Sequence, residues 1–107
     1  MVEIAPADTD TEIAEARTLF REYEHWLELD LCFQGFEAEL ASLLGVYAPP
    51  AGILLLAYCD EKLAGCIALR KLEEGICEMK RLFVRDSFRG LGIGNLLIDK
   101  LIIYAQS

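Results

Sequence analysis

The stretch Cys77-Glu78-Met79-Lys80-Arg81-Leu82-Phe83-Val84, then Arg89-Gly90-Leu91-Gly92-Ile93-Gly94-Asn95, then Leu96 to Ala105, decides how the chain is read. Ile76 to Val84 is strand-like and Leu96 to Ala105 is an apolar helical pattern, so the glycines fall at a strand-to-helix junction. Inside a helix each glycine costs about 1 kcal/mol relative to alanine, so glycines gathered here imply a backbone that turns tightly or lies bare. The first turn of a helix leaves N–H groups unpaired and carries partial positive charge, which favours an anion by roughly 0.3–1 kcal/mol. The junction is a candidate phosphate-binding loop.

Spacing separates three kinds of such loop. A nucleoside-triphosphate loop needs Gly-Lys followed by Ser or Thr, whereas Gly94 precedes Asn95 and Leu96. A G-x-G-x-x-G dinucleotide fingerprint begun at Gly90 and Gly92 would place its third glycine at Asn95. Too little chain then remains for the strand and acidic residue it requires. The third pattern is Arg or Gln, two residues, Gly, one residue, Gly or Ala. Arg89 to Gly94 meets it at every fixed position.

Working outward, alternation in the preceding strand is imperfect, because Glu78 and Lys80 share parity with Leu82 and Val84. A β-bulge would resolve the conflict by adding one residue and re-aiming the side chains beyond it. Ile53 to Cys59 and Leu63 to Leu69 read as strands covered on both faces, joined by the turn Asp60-Glu61-Lys62. A second turn, Glu73-Glu74-Gly75, returns the chain into Ile76 to Val84 and makes an antiparallel meander. Upstream, Thr9-Asp10-Thr11-Glu12 matches a capping box and opens an amphipathic helix along Ile13, Ala16, Phe20, Tyr23 and Leu27. Glu15, Glu22, Glu24 and Glu28 read as its solvated face. Phe36, Leu40, Leu43 and Leu44 mark a shorter helix stopped at Gly45, and Pro49-Pro50 a loop. Val2 to Ile4 reads as a first strand ended by Pro6.

The 107 residues suit one domain, 1–107. Hydrophobic content of 54% is high, and the excess apolar surface calls for a partner or a large cavity. No segment has the roughly eighteen uninterrupted apolar residues of a membrane span. A net charge of -8 excludes nucleic acid and anionic membrane as natural partners. Cys32, Cys59, Cys66 and Cys77 show no CxxC spacing and His25 is the only histidine, so no metal framework is expected. The cysteines read as reduced and mostly buried. Met1-Val2-Glu3-Ile4 has no export-signal character, and a cytoplasmic protein is expected.

With its glycine pattern, the strand Cys77 to Val84 before it and the apolar helix after it, the chain resembles the GNAT superfamily of N-acetyltransferases over nearly its whole length. The resemblance implies an α/β fold in which helices flank a mostly antiparallel sheet. It implies transfer of an acetyl group from acetyl-CoA to an amine. The loop Arg89, Gly90, Leu91, Gly92, Ile93, Gly94 and Asn95 would cradle the coenzyme A pyrophosphate, and the backbone of Leu82, Phe83 and Val84 would pair with the pantetheine arm. Glu78 stands where many members carry the base that deprotonates the amine. Trp26, Phe33 and Phe36 fall where members line the acceptor pocket, with His25 a weaker candidate. Members continue past the signature helix with further strands and a helix, including a tyrosine that protonates the leaving thiolate, and Tyr104 is not that residue. Ending at Ser107, the chain is expected to lack those elements, to expose the edge of its last strand, and to cover it as a homodimer. The alternative is a coenzyme-binding or interaction module without turnover.

Overall fold

A computed structural model describes residues 1–27, 36–49, 52–73 and 75–106. The elements are β1 (Val2–Pro6), α1 (Asp10–Leu27), α2 (Phe36–Ala41), β2 (Gly52–Cys59), β3 (Lys62–Glu73), β4 (Ile76–Val84) and α3 (Ile93–Ala105). Single 3-10 turns lie at Gly45–Tyr47 and Asp86–Phe88. Helix α1 opens on the expected capping box. Glu12 N–H donates to Thr9 Oγ1 and Thr9 N–H to Glu12 Oε1, each at 3.1 Å.

The strands form one antiparallel sheet in the order β1-β2-β3-β4. Successive residues of a strand point to opposite faces, and two cores result. Ala16, Leu19 and Phe20 of α1 pack with Leu40, Tyr47, Leu54, Leu56, Cys66 and Phe83 on one face. Ile93, Leu97 and Leu101 of α3 pack on Leu55, Ile67 and Leu69 on the other. The inner strands β2 and β3, covered on both sides, are for this reason apolar without alternation. The expected flanked antiparallel sheet is what forms.

Several boundaries differ from the sequence reading. β1 runs through Pro6, tolerated at the last position of an edge strand where a missing N–H matters least. The β2–β3 turn has two residues, Asp60 (φ 51°) and Glu61 (φ 70°), with Lys62 already paired to Cys59. Two successive left-handed residues match the twist of the flanking strands. α2 ends at Ala41 rather than at Gly45, which instead begins a 3-10 turn that buries Tyr47. Cys66 is buried and Cys59 partly so, but Cys77 is exposed, because it pairs with Lys71 near the far end of the β3–β4 hairpin. All three are free thiols, and Cys32 lies outside the described residues.

The anticipated bulge is present. Cys66 pairs with Phe83 and Ala68 with Lys80, so Ile67 alone stands opposite Arg81 and Leu82. Arg81 takes φ 60°, a left-handed conformation that costs a non-glycine residue roughly 1–2 kcal/mol. Beyond the bulge β3 and β4 approach closely at Gly65. A Cβ there would lie 2.5 Å from the Phe83 carbonyl oxygen and 3.2 Å from Val84 Cα. Gly65→Ala should lower stability in urea unfolding by about 1–3 kcal/mol through overpacking against backbone. Gly75→Ala, at φ 81° in open space, serves as the control for conformational strain alone. Equal losses in the two variants would show that the close approach is not limiting.

Candidate functional site

β4 is an edge strand, with no strand on its outer side among the described residues. Arg85 N–H donates to the Ala64 carbonyl at 2.8 Å, so by the alternation of an antiparallel ladder Phe83 directs its backbone groups to β3. Leu82 and Val84 direct theirs outward. The Val84 carbonyl accepts a 2.8 Å bond from Arg89 Nε, which leaves the Leu82 groups and the Val84 N–H on the open edge. Of the three residues expected to offer backbone to a ligand, Phe83 thus serves the sheet and places its ring in the core.

At the end of β4 the glycine loop enters α3. Gly90 and Gly92 hold φ 83° and 80°, which answers the question of why glycine is required there. Gly92 is the N-terminal flanking residue of α3 and no side chain caps the helix. The first helical bond runs from Leu96 N–H to the Gly92 carbonyl at 3.1 Å, so the amides of Ile93, Gly94 and Asn95 precede the ladder. A cavity of about 330 Å³ is lined by Gly90, Gly92, Gly94 and Asn95 together with Val84 and Phe88. A Cβ at Gly90 or Gly92 would meet nothing within 4 Å. Leu91 is exposed at the tip, and the Ile93 side chain is buried beneath α3.

Arg89, the first residue of the motif, acts as a brace. It pairs with Asp86, bonds Val84, and lies 4.8 Å from the centroid of the Trp26 ring and 5.7 Å from that of Phe83. Trp26 is half exposed on the last turn of α1. It lines a second cavity, of about 620 Å³, with Arg21, His25, Phe83 and Arg85. Phe33 lies outside the described residues, and Phe36 begins α2. A third cavity, of about 290 Å³, sits at the bulge. Tyr23 and Arg81 reach it from the α1 side of the sheet, and Ile67 and Ile98 from the α3 side. Here the edge of β4 is open to both faces.

Glu78 lies on the α1 side with Lys80, opposite Arg70 and Ala68. Its Oε1 accepts a 2.9 Å charge-assisted bond from Arg70 Nε, not from Lys80. Three arginines along and after β4 each have a carboxylate. Arg81 binds Glu39 of α2 through Nε and Nη2, both at 2.9 Å, Arg85 binds Glu22 of α1 at 2.9 and 2.7 Å, and Arg89 pairs with Asp86. The acidic positions of α1 are therefore not a merely solvated face. Glu22 serves Arg85, Glu15 accepts from the Tyr58 hydroxyl at 2.6 Å, and Glu24 pairs with Arg21, while Glu28 lies outside the described residues. The sequence reading missed Glu39, Arg81 and Arg85. Their only sequence signal is the four-residue spacing of Arg81, Arg85 and Arg89.

Among the described residues no three His, Cys, Asp or Glu side chains gather to hold a metal ion, and no helix is long and apolar enough to cross a membrane. Residues 11–107 match the model of the acetyltransferase (GNAT) family. An uncharacterized N-acetyltransferase of Schizosaccharomyces pombe is 36% identical over 107 residues, covering 98% of this chain and 66% of the yeast protein. A GNAT-family acetyltransferase of Staphylococcus aureus superposes with a TM-score of 0.79 at 22% identity, over 99% of this chain and 67% of that one. An aminoglycoside 6'-N-acetyltransferase complexed with coenzyme A gives 0.69 at 22% identity, over 97% and 56%. At such identities the two structures speak for the fold. The chain spans about two thirds of the yeast relative's length, at 66%.

Proposed function

Because the chain belongs to the GNAT acetyltransferase family, we propose that it transfers an acetyl group from acetyl-CoA to an amine, with the glycine loop as its coenzyme site. The observation that carries the proposal is the uncapped start of α3, where the amides of Ile93, Gly94 and Asn95 face a glycine-lined cavity. Those donors and the helix dipole suit a pyrophosphate, and bare glycine lets it approach. From there the open edge of β4 leads to the bulge. The outward N–H groups of Val84 and Leu82 offer an extended amide chain such as pantetheine the hydrogen bonds of an added strand.

At the bulge the Leu82 N–H is the donor for the thioester oxygen. Negative charge grows on that oxygen as the amine nitrogen bonds to the carbonyl carbon, and it returns to the carbonyl bond as the carbon–sulfur bond breaks and coenzyme A leaves as its thiolate, while the amine proton goes to the base. The cavity open to both faces lets an acceptor approach from the α1 side, past Tyr23, while the thioester lies along the edge. Trp26 and its cavity of about 620 Å³ form the wider acceptor entrance. Glu78 is the base in this reading. It stands on the acceptor side of the strand, where its ion pair with Arg70 fixes the carboxylate and where an incoming ammonium can compete for it.

Calorimetric titration with acetyl-CoA tests the coenzyme site. The native chain should bind, and Gly92→Glu, which sets a carboxylate against the pyrophosphate, should abolish binding. Binding unchanged in that variant would move the coenzyme elsewhere. Glu78→Gln should slow amine-dependent thiol release by about 10²-fold without weakening coenzyme binding. An unaltered rate would remove Glu78 as the base.

The same reading has a second copy of the chain cover β4 ahead of the bulge, at the exposed Ile76 and Met79, and the exposed Leu96, Ile102 and Ile103 of α3, leaving the edge at Leu82 and Val84 to the coenzyme, in a cytoplasmic setting that keeps the cysteines reduced. Light scattering at micromolar concentration should then give twice the chain mass, and a monomer would refute it.

A further inference from the structure

The bulge places the outward Leu82 N–H immediately after Arg81, so the direction of that N–H depends on the Arg81 backbone. Arg81 is the one left-handed residue in β4, and arginine does not hold that conformation unaided. Its side chain is 5% exposed, the only charged side chain among the buried described residues. Glu39, 14% exposed, meets the guanidinium with two parallel bonds of 2.9 Å. A forked pair fixes orientation as well as distance. The Tyr23 ring lies 5.9 Å from the guanidinium carbon. The buried Tyr47 hydroxyl sits beside the pair without a well-formed hydrogen bond, its pKa pushed up to about 12 first by burial and then by Glu39. On the strand side, Cys66 Sγ donates to the Arg81 carbonyl at 3.3 Å. Arg81 is thus held at its side chain and at its carbonyl, and the Leu82 N–H is held with it.

A pair serving only stability would not need to sit on a left-handed residue. Hydrophobic side chains of similar volume usually replace such pairs without loss. We propose that Glu39 and Arg81 are positioning residues for acetyl transfer: the fork from α2 holds Arg81 left-handed and thereby aims the Leu82 N–H at the thioester oxygen. The inference rests on the acetyl-CoA reading above. It ties the aim of that donor to α2, on the acceptor side of the sheet, so displacement of α2 also turns the donor.

The test uses acetyl-CoA labelled with carbon-13 at the thioester carbonyl, whose NMR shift moves downfield when a donor polarises the oxygen. Two double variants remove the pair without leaving a lone buried charge, Glu39→Ala with Arg81→Gly and Glu39→Ala with Arg81→Met. Glycine adopts the left-handed conformation freely and methionine does not. The native chain should show the downfield shift and the glycine variant should keep it. The methionine variant should lose at least roughly half of it, while still binding acetyl-free coenzyme A within about threefold of native, because its glycine loop is intact. If the methionine variant does not fold, Arg81→Lys replaces it, retaining the charge without the fork, with the same expected loss. A native-like shift in the methionine or lysine variant, or a lost shift in the glycine variant, overturns the positioning role alone. Failure of the native chain to bind acetyl-CoA overturns the acetyl-CoA reading and this inference together.

Discussion

Everything at the edge of this sheet depends on a change of parity within one strand. Glu78, Lys80, Arg81 and Phe83 all lie on the α1 side of β4, a sequence of positions no regular strand can present. One extra residue absorbs the mismatch. Because the bulge sits on an edge strand, its irregular backbone can face a cavity rather than a neighbouring strand. Gly65 on β3 is the counterpart of this arrangement. It lets the strands come close just beyond the bulge, so the irregularity stays local and Val84 arrives in register at the loop.

The second support is a ladder of charges. Among the described residues β4 is covered by a strand on one side only, and its far end is exposed at Ile76 and Met79. Arg81, Arg85 and Arg89 join it in turn to α2, to α1 and to its own following turn. These pairs differ in weight. Exposed pairs of the Arg89–Asp86 kind contribute about 1 kcal/mol or less, whereas removing one partner of a buried pair such as Arg81–Glu39 is expensive. The ladder therefore grades from a fixed bulge to a looser loop.

How much could be read from the sequence depends on the range of the forces involved. The capping box, the glycine junction and the meander are local, and each stands where its residues indicate. The bulge was legible as a conflict of alternation, although not which residue would turn left-handed. The ion pairs were not legible, because Arg85 and Glu22 are separated by 63 positions and Arg81 and Glu39 by 42, and no spacing rule links them. For the same reason Glu22 on α1 looked solvated until the sheet brought Arg85 beside it. α2 was overextended because Leu43 and Leu44 continue an apolar pattern but pack from a turn instead of a helix.

Trp26, the chain's single tryptophan, lies between the cavity of about 620 Å³ and the brace that holds the glycine loop. Its indole is half exposed, stacked under the Arg89 guanidinium and close to Phe83. Indole emission responds to both solvent exposure and nearby charge, so displacing Arg89 or filling the cavity would alter it without any attached label. The fold contains its own optical reporter, placed where that cavity meets the glycine loop.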